Sequence, residues 1–243
     1  MSRQAGLLIL AIAVLLILQS CGKGIDDIYA ENVKARGGID SISALQSMKI
    51  TGGLVTDADR FGFIIWARRP DCIRMNIEAD ANDLILASDG DTLWFDTPYD
   101  THGALPMPPA EATKLKEMYD VLFGLLQTCR ERGDSMVLLG QEKVGEREAY
   151  KIQSTSTDGV IQEIYVDAET YLENKRQSSA VYAGKDVVTI TLYENYQTVA
   201  GVMIPHASKE YINDRLDHTT VFDNIEANIE MSDTLFVVPD STP

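Results

Sequence analysis

Residues 172–229 read LENKRQSSAVYAGKDVVTITLYENYQTVAGVMIPHASKEYINDRLDHTTVFDNIEANI. Four β-rich runs lie in this stretch: Leu172–Tyr182, Val187–Tyr196, Met203–Ile212 and Leu216–Ile229. Turn residues separate them, at Gly184-Lys185, Ala200-Gly201 and Asn213-Asp214. Links this short join antiparallel neighbours, because a parallel pair needs a crossover of about a dozen residues or more. The stretch therefore predicts an antiparallel meander and excludes a βαβ fold.

The pattern extends upstream. Met136–Leu139, Tyr150–Thr155 and Val160–Val166 are further strands, with Gly145 and Asp158-Gly159 at their turns. Met48, Ile50 and Leu54 alternate with Lys49 and Thr51. Ile73, Met75, Ile77 and Ala79 alternate with Arg74, Asn76 and Glu78, the period of a half-buried strand. Phe61–Arg68 is apolar on both faces, so cover is expected on both sides. Leu84–Ala87 and Leu93–Phe95 flank Asp89-Gly90, a hairpin signal.

Two regions break the alternation. His102–Pro109 is rich in proline and reads as a loop. Beyond it, Leu115, Met118, Tyr119, Leu122, Phe123 and Leu126 form one continuous apolar stripe, which predicts a helix from about Ala110 to Cys129. Lys114, Glu117 and Asp120 face away from that stripe. Near the start, Ile25, Ile28, Tyr29 and Val33 predict a helix that Gly37-Gly38 stops, and Ile39, Ile42 and Leu45 predict a short second one.

The first twenty residues are of another kind. Arg3 precedes an apolar run from Leu7 to Leu18, about a dozen residues long, the length of a signal-peptide core. That is short of the roughly 20 residues that span a bilayer. Leu18-Gln19-Ser20-Cys21-Gly22 follows and resembles a bacterial lipobox. The resemblance implies cleavage before Cys21 and a thioether to diacylglycerol on its thiol. Residues 1–20 would be the signal peptide and residues 21–243 a single domain. Gly22, rather than Asp, after the lipid site favours the outer membrane by resemblance to enterobacterial sorting rules.

Composition narrows the function. The formal net charge is −16, and −17 once Arg3 leaves with the signal, a poor match to nucleic acid or an anionic lipid surface. An apolar share of 45% is that of a globular domain. With Cys21 lipidated, Cys72 and Cys129 remain. A disulfide between them would add about 3–4 kcal/mol in an oxidising compartment, and two buried free thiols are the alternative.

Several local motifs resemble one family. Ala35-Arg36-Gly37-Gly38-Ile39, followed by Leu45-Gln46-Ser47-Met48-Lys49-Ile50-Thr51-Gly52, resembles the opening of outer-membrane lipoprotein-sorting-like proteins. Ile164-Tyr165-Val166-Asp167-Ala168-Glu169-Thr170-Tyr171 resembles their strand-turn motif. Tyr196 with Gly201-Val202-Met203-Ile204-Pro205 resembles a later turn, and Asp233-Thr234-Leu235-Phe236 to Pro239 their ending. This lipoprotein-carrier superfamily includes the periplasmic lipoprotein carrier, its outer-membrane acceptor and the N-terminal domain of an envelope-stress regulator. The resemblance implies a mainly β (α+β) fold: a curved antiparallel sheet or half-barrel with helices covering its concave face. In the carrier, an arginine in the sheet controls cargo release. Arg68 and Arg74 lie in suitable strands, and no motif places the role on either.

Where helix and sheet do not fully interdigitate, Phe61, Phe63, Ile65, Met75, Ile77, Leu122, Phe123 and Leu126 would line an apolar cavity. Ordinary core is the alternative for the same residues. Catalytic chemistry finds little support. His102, His206 and His218 show no ligand spacing, no nucleophile elbow is present, and Gly37-Gly38 and Gly52-Gly53 form no phosphate loop. Asp57-Ala58-Asp59 and Asp80-Ala81-Asn82-Asp83 read as solvated turns. The expectation is a non-enzymatic, lipid-anchored envelope protein with no cofactor, no metal site and no nucleic-acid partner. It would bind a lipid or a lipoprotein acyl chain as acceptor, chaperone or transport component. A protein-interaction or envelope-stress sensor module with a packed interior is the second reading, and a glycan-acting enzyme the third.

Overall fold

The structure, a computed structural model, describes residues 23–239 apart from residues 80, 81, 98, 100, 101, 183 and 184. The signal peptide, Cys21, part of the Asp80–Asp83 turn, Gly184 and the tail from Asp240 to Pro243 lie outside the described residues.

Helix α1 (Ile25–Ala35) and α2 (Ile39–Ala44) open the fold. Asp26 and Asp27 in the first turn of α1 and Lys34 in its last turn match the helix dipole. Gly37 ends it with φ +116°. Strands β1 (Ser47–Val55), β2 (Arg60–Arg68), β3 (Cys72–Ile77), β4 (Leu84–Asp89), β5 (Leu93–Asp96) and β6 (Leu105–Pro106) follow. Helices α3 (Pro109–Phe123) and α4 (Leu125–Arg132) come next. Seven further strands follow among the described residues: β7 (Ser135–Val144), β8 (Arg147–Thr155), β9 (Ile161–Asp167), β10 (Glu173–Tyr182), β11 (Lys185–Val199), β12 (Val202–Ile212) and β13 (Arg215–Ala227).

All thirteen strands form one open, curved antiparallel sheet, in the order β6-β5-β4-β3-β2-β1-β13-β12-β11-β10-β9-β8-β7. Two meanders, β1–β6 and β7–β13, are therefore sewn together by the β1–β13 pair, with Ile50 opposite Ile225. The free edges are β6 and β7, which are neighbours in sequence. The segment joining them, α3–α4, runs through the core of the half-barrel, where Leu115, Leu122, Phe123, Leu125 and Leu126 pack with Ile50, Phe63, Ile65 and Ile164. Burying each of these large side chains contributes about 1.5–3 kcal/mol.

The predicted single helix 110–129 is two helices, broken at Gly124. The apolar stripe runs unbroken through it, but Gly124 has φ +103°. A Cβ there would lie 2.1 Å from Gln127 Oε1 and 3.1 Å from Arg36 Nε. The double-sided apolarity of Phe61–Arg68 has its cause in the C-terminal segment, which crosses the convex face. Trp94 Nε1 donates to the Phe236 carbonyl at 2.7 Å, and Phe236 is fully buried.

The family-like motifs are contacts in this fold. A Cβ on Gly37 would stand 1.9 Å from the Gly201 carbonyl oxygen, so the first motif and the β11–β12 turn touch backbone to backbone. Met203 N donates to the Arg36 carbonyl at 2.9 Å. The Asp167 carboxylate closes the β9–β10 turn, accepting from Glu169 N, Thr170 N and Thr170 Oγ1 at 3.0, 2.7 and 3.0 Å, and it also binds Arg147.

Candidate functional site

Pleating and register decide what the concave face carries. Phe61, Phe63 and Ile65 point the same way along β2, opposite Leu54, Gly52 and Ile50 of β1. On the other side Phe63 faces Ile77 and Ile65 faces Met75. Met75 faces Leu86, and Leu86 faces Phe95. The β1–β5 half of the face is thus continuously apolar. Phe63, Ile65, Met75, Leu122, Phe123 and Leu126 meet in one cluster, with Ile77 packed at its margin. Phe61 lies at the rim and is 42% exposed. Leu54, Ile77, Leu84, Leu86 and Phe95 are half-buried beside it. In this state α3 and α4 fill the interior: Leu122 and Leu126 have no exposure.

The other half of the face carries core residues such as Ile152, Ile164, Tyr193 and Ile204, and beside them a charged row that the strand pattern does not announce. Arg176 of β10, Thr191 of β11, Glu210 of β12 and His218 of β13 sit side by side on the concave side through the pairs Arg176–Thr191, Thr191–Glu210 and Glu210–His218. Part of the polar side of α3 faces them. Arg176 Nη2 donates to Glu117 Oε2 at 2.5 Å, with side-chain exposures of 4% and 12%. Lys114 Nζ donates to Glu210 Oε1 at 2.8 Å. Asp120, 5% exposed, takes a two-pronged contact from Arg132, which also reaches Asp134. Burial pushes the Glu117 and Asp120 carboxyls upward, against the pull of Arg176 and Arg132. A groove of about 550 Å³ runs beside α3, lined by Lys116, Glu117, Asp120, Arg132, Gln162 and Ser178 among others.

Lys114, Glu117 and Asp120 do face away from the apolar stripe, and there Glu117 and Asp120 are tied into ion pairs with Arg176 and Arg132. The signal was present in Lys114 and Glu117 one turn apart on α3, but their partners come from β10 and β12. Beside the Gly124 break, Arg36 and Glu173 form a fully buried pair at 3.2 Å. Gln127 of α4 donates to Asn32 of α1 at 3.0 Å.

Arg68 and Arg74 are on the convex face. Arg68 pairs with Asp233 at 2.7 Å, and Arg74 donates to the Leu235 carbonyl at 3.0 Å, so both hold down the C-terminal strap. Arg176, by contrast, lies on the concave side. Cys72 and Cys129 are both free and buried. Their thiols have separate partners: Cys72 lies 3.3 Å from the Asp89 carbonyl and Cys129 3.4 Å from Ser154 Oγ. Burial pushes the Cys129 thiol up to about 12. Asp57 and Asp59 are exposed turn residues. His206 is buried on β12, and its Nδ1 lies 3.0 Å from the Ile204 carbonyl.

A half-open antiparallel barrel with a two-part helical plug on its concave face defines a structural class. Three solved structures share this fold. A LolA-superfamily protein of Nitrosomonas europaea superposes with a TM-score of 0.59 at 13% identity, covering 89% of this chain and 98% of that one. A DUF1329-family protein of Desulfovibrio piger gives 0.57 at 13% identity, covering 89% and 98%. An outer-membrane lipoprotein-sorting protein domain of Vibrio parahaemolyticus gives 0.56 at 12%, covering 87% and 94%. The resemblance read from the motifs is borne out as fold. No protein-family model matches the chain, and no curated protein sequence does.

Proposed function

We propose that this chain is a non-enzymatic, lipid-anchored protein of the bacterial envelope that binds an apolar ligand, a lipid or lipoprotein acyl chain, between the β1–β5 half of its sheet and the α3–α4 plug. The observation that carries this reading is the continuous apolar half-face, running from buried Ile65 to half-exposed Ile77 and exposed Phe61. It is closed by helices that break at Gly124 and are fastened to the opposite half by ion pairs. An incoming acyl chain competes with Leu122, Phe123 and Leu126 for that surface. Each buried methylene returns about 0.8 kcal/mol, so a chain of roughly sixteen carbons offers about 12 kcal/mol against the helix contacts it displaces.

The anchor is Cys21, four residues before Ile25, where α1 begins. A permanent tether fits an acceptor or local chaperone better than a free shuttle, and Gly22 favours the outer membrane. Native mass spectrometry of residues 22–243 purified from a bacterial envelope tests the reading. Co-purified phospholipid or acyl species that are lost in a folded Leu122→Arg variant support it. A protein that stays ligand-free even with added fatty acid and lipopeptide moves the weight to the protein-interaction reading.

A further inference from the structure

We infer that Glu210, Asp217 and His218 form a binding site for a divalent transition-metal ion of the zinc class on the rim of the charged half. Glu210 and His218 face each other across β12 and β13. The register shifts there, because Tyr211 next pairs with Leu216, leaving Asp217 as the extra residue of a β-bulge. A bulge re-aims one side chain, and here it brings Asp217 to His218, with Oδ2 and Nδ1 3.0 Å apart. One donor atom from each of the three residues lies within 4.8 Å of the others. Side-chain exposures of 12% for Glu210, 21% for His218 and 48% for Asp217 leave the site open on one side.

The donor set selects the ion. One imidazole with two carboxylates suits Zn²⁺, whereas Ca²⁺ and Mg²⁺ take oxygen ligands in larger number. Three protein donors leave a fourth position for water or a ligand group. Bonds of about 2.0–2.1 Å in a tetrahedron set donors about 3.4 Å apart, so the group closes by about 1 Å.

A cation already sits at this rim. Lys114 Nζ is 2.8 Å from Glu210 Oε1. A metal ion and Lys114 therefore compete for Glu210. Occupation of the site would release α3 from β12, a coupling that rests on the lid reading of α3, whereas the metal site itself does not.

Zinc titration by calorimetry on tag-free full chain in mild detergent, with Mg²⁺ as control, tests the site without any lipid ligand. The expected result is one Zn²⁺ per chain. Binding should be at least about tenfold weaker in His218→Ala and in the more conservative His218→Gln, and tighter in Lys114→Met, which lacks the competing ammonium. Absence of stoichiometric zinc binding, equal affinity in folded His218 variants, or no gain in Lys114→Met would overturn the inference.

Discussion

Arg176 and Glu117 form the sharpest test of how the plug is held. Their contact of 2.5 Å joins β10 to α3, and both side chains are nearly out of water. Glu117 also lies near Glu210 and Asp120, which raise its pKa further, and Arg176 Nη1 is buried without a hydrogen-bond partner. Arg176→Met removes the balancing charge and leaves a desolvated carboxylate among like charges. Breaking one side of such a pair costs about 3–5 kcal/mol, whereas replacing both sides with apolar groups is close to neutral. Urea unfolding should therefore show a loss of about 3–5 kcal/mol for Arg176→Met and near-complete recovery in Arg176→Met/Glu117→Met. The same loss falls on the closed plug more than on the displaced one, where Glu117 regains water. Every 1.4 kcal/mol of such bias tightens apparent ligand binding about tenfold. A fluorescent palmitoyl probe should accordingly bind Arg176→Met at least about tenfold more tightly than wild type. A double variant as unstable as the sum of the single variants, or unchanged probe affinity in Arg176→Met, would refute the reasoning.

Other expectations follow from single contacts. Gly37→Ala places a Cβ 1.9 Å from the Gly201 carbonyl oxygen at φ +116° and should lower stability by about 2–4 kcal/mol in urea melts. Phe236→Ala empties the site under the C-terminal strap and should cost about 3–5 kcal/mol, with a red shift of tryptophan emission as Trp94 gains water. Asp167 opposes its burial with bonds from Arg147 and from the Thr170 and Glu169 amides, which hold its carboxyl below the ordinary range. It therefore stabilises the fold above the unfolded value of about 3.9, and that contribution is lost as pH falls through the lower folded value. Asp167→Asn should be clearly less stable than wild type at pH 7, with the gap shrinking below about pH 4.

Much of this fold could be read along the chain because its causes are local. Alternation in Ile73–Ile77 and the turn pairs between Leu172 and Ile229 suffice for an antiparallel meander, and the order within each meander follows from short links, whereas the β1–β13 pair that joins the two does not. The concave positions of Phe63, Ile65 and Met75 follow from the period of two. What escaped has causes far away in sequence. Gly124 interrupts a stripe that is otherwise helical, and glycine within a helix costs only about 1 kcal/mol, so periodicity alone does not reveal the break. Arg176 resembles any outward strand residue until β9 and β11 set its face. The cluster of Glu210, Asp217 and His218 depends on a one-residue bulge that no spacing rule reports. Arg68 and Arg74 lie in strands on the expected half of the sheet, but the parity of β2 and β3 turns them to the convex side, under a segment from the other end of the chain.

The central claim, an acyl chain lying between the β1–β5 half-face and the plug, is tested most directly by photolabelling with a palmitoyl probe carrying a diazirine along its chain, followed by peptide mapping. Labels should fall on peptides containing Phe63, Ile65, Met75 and Leu122, and unlabelled lipopeptide should compete them away. Labels confined to the convex face or to the β7 edge, or no competable label at all, would contradict it.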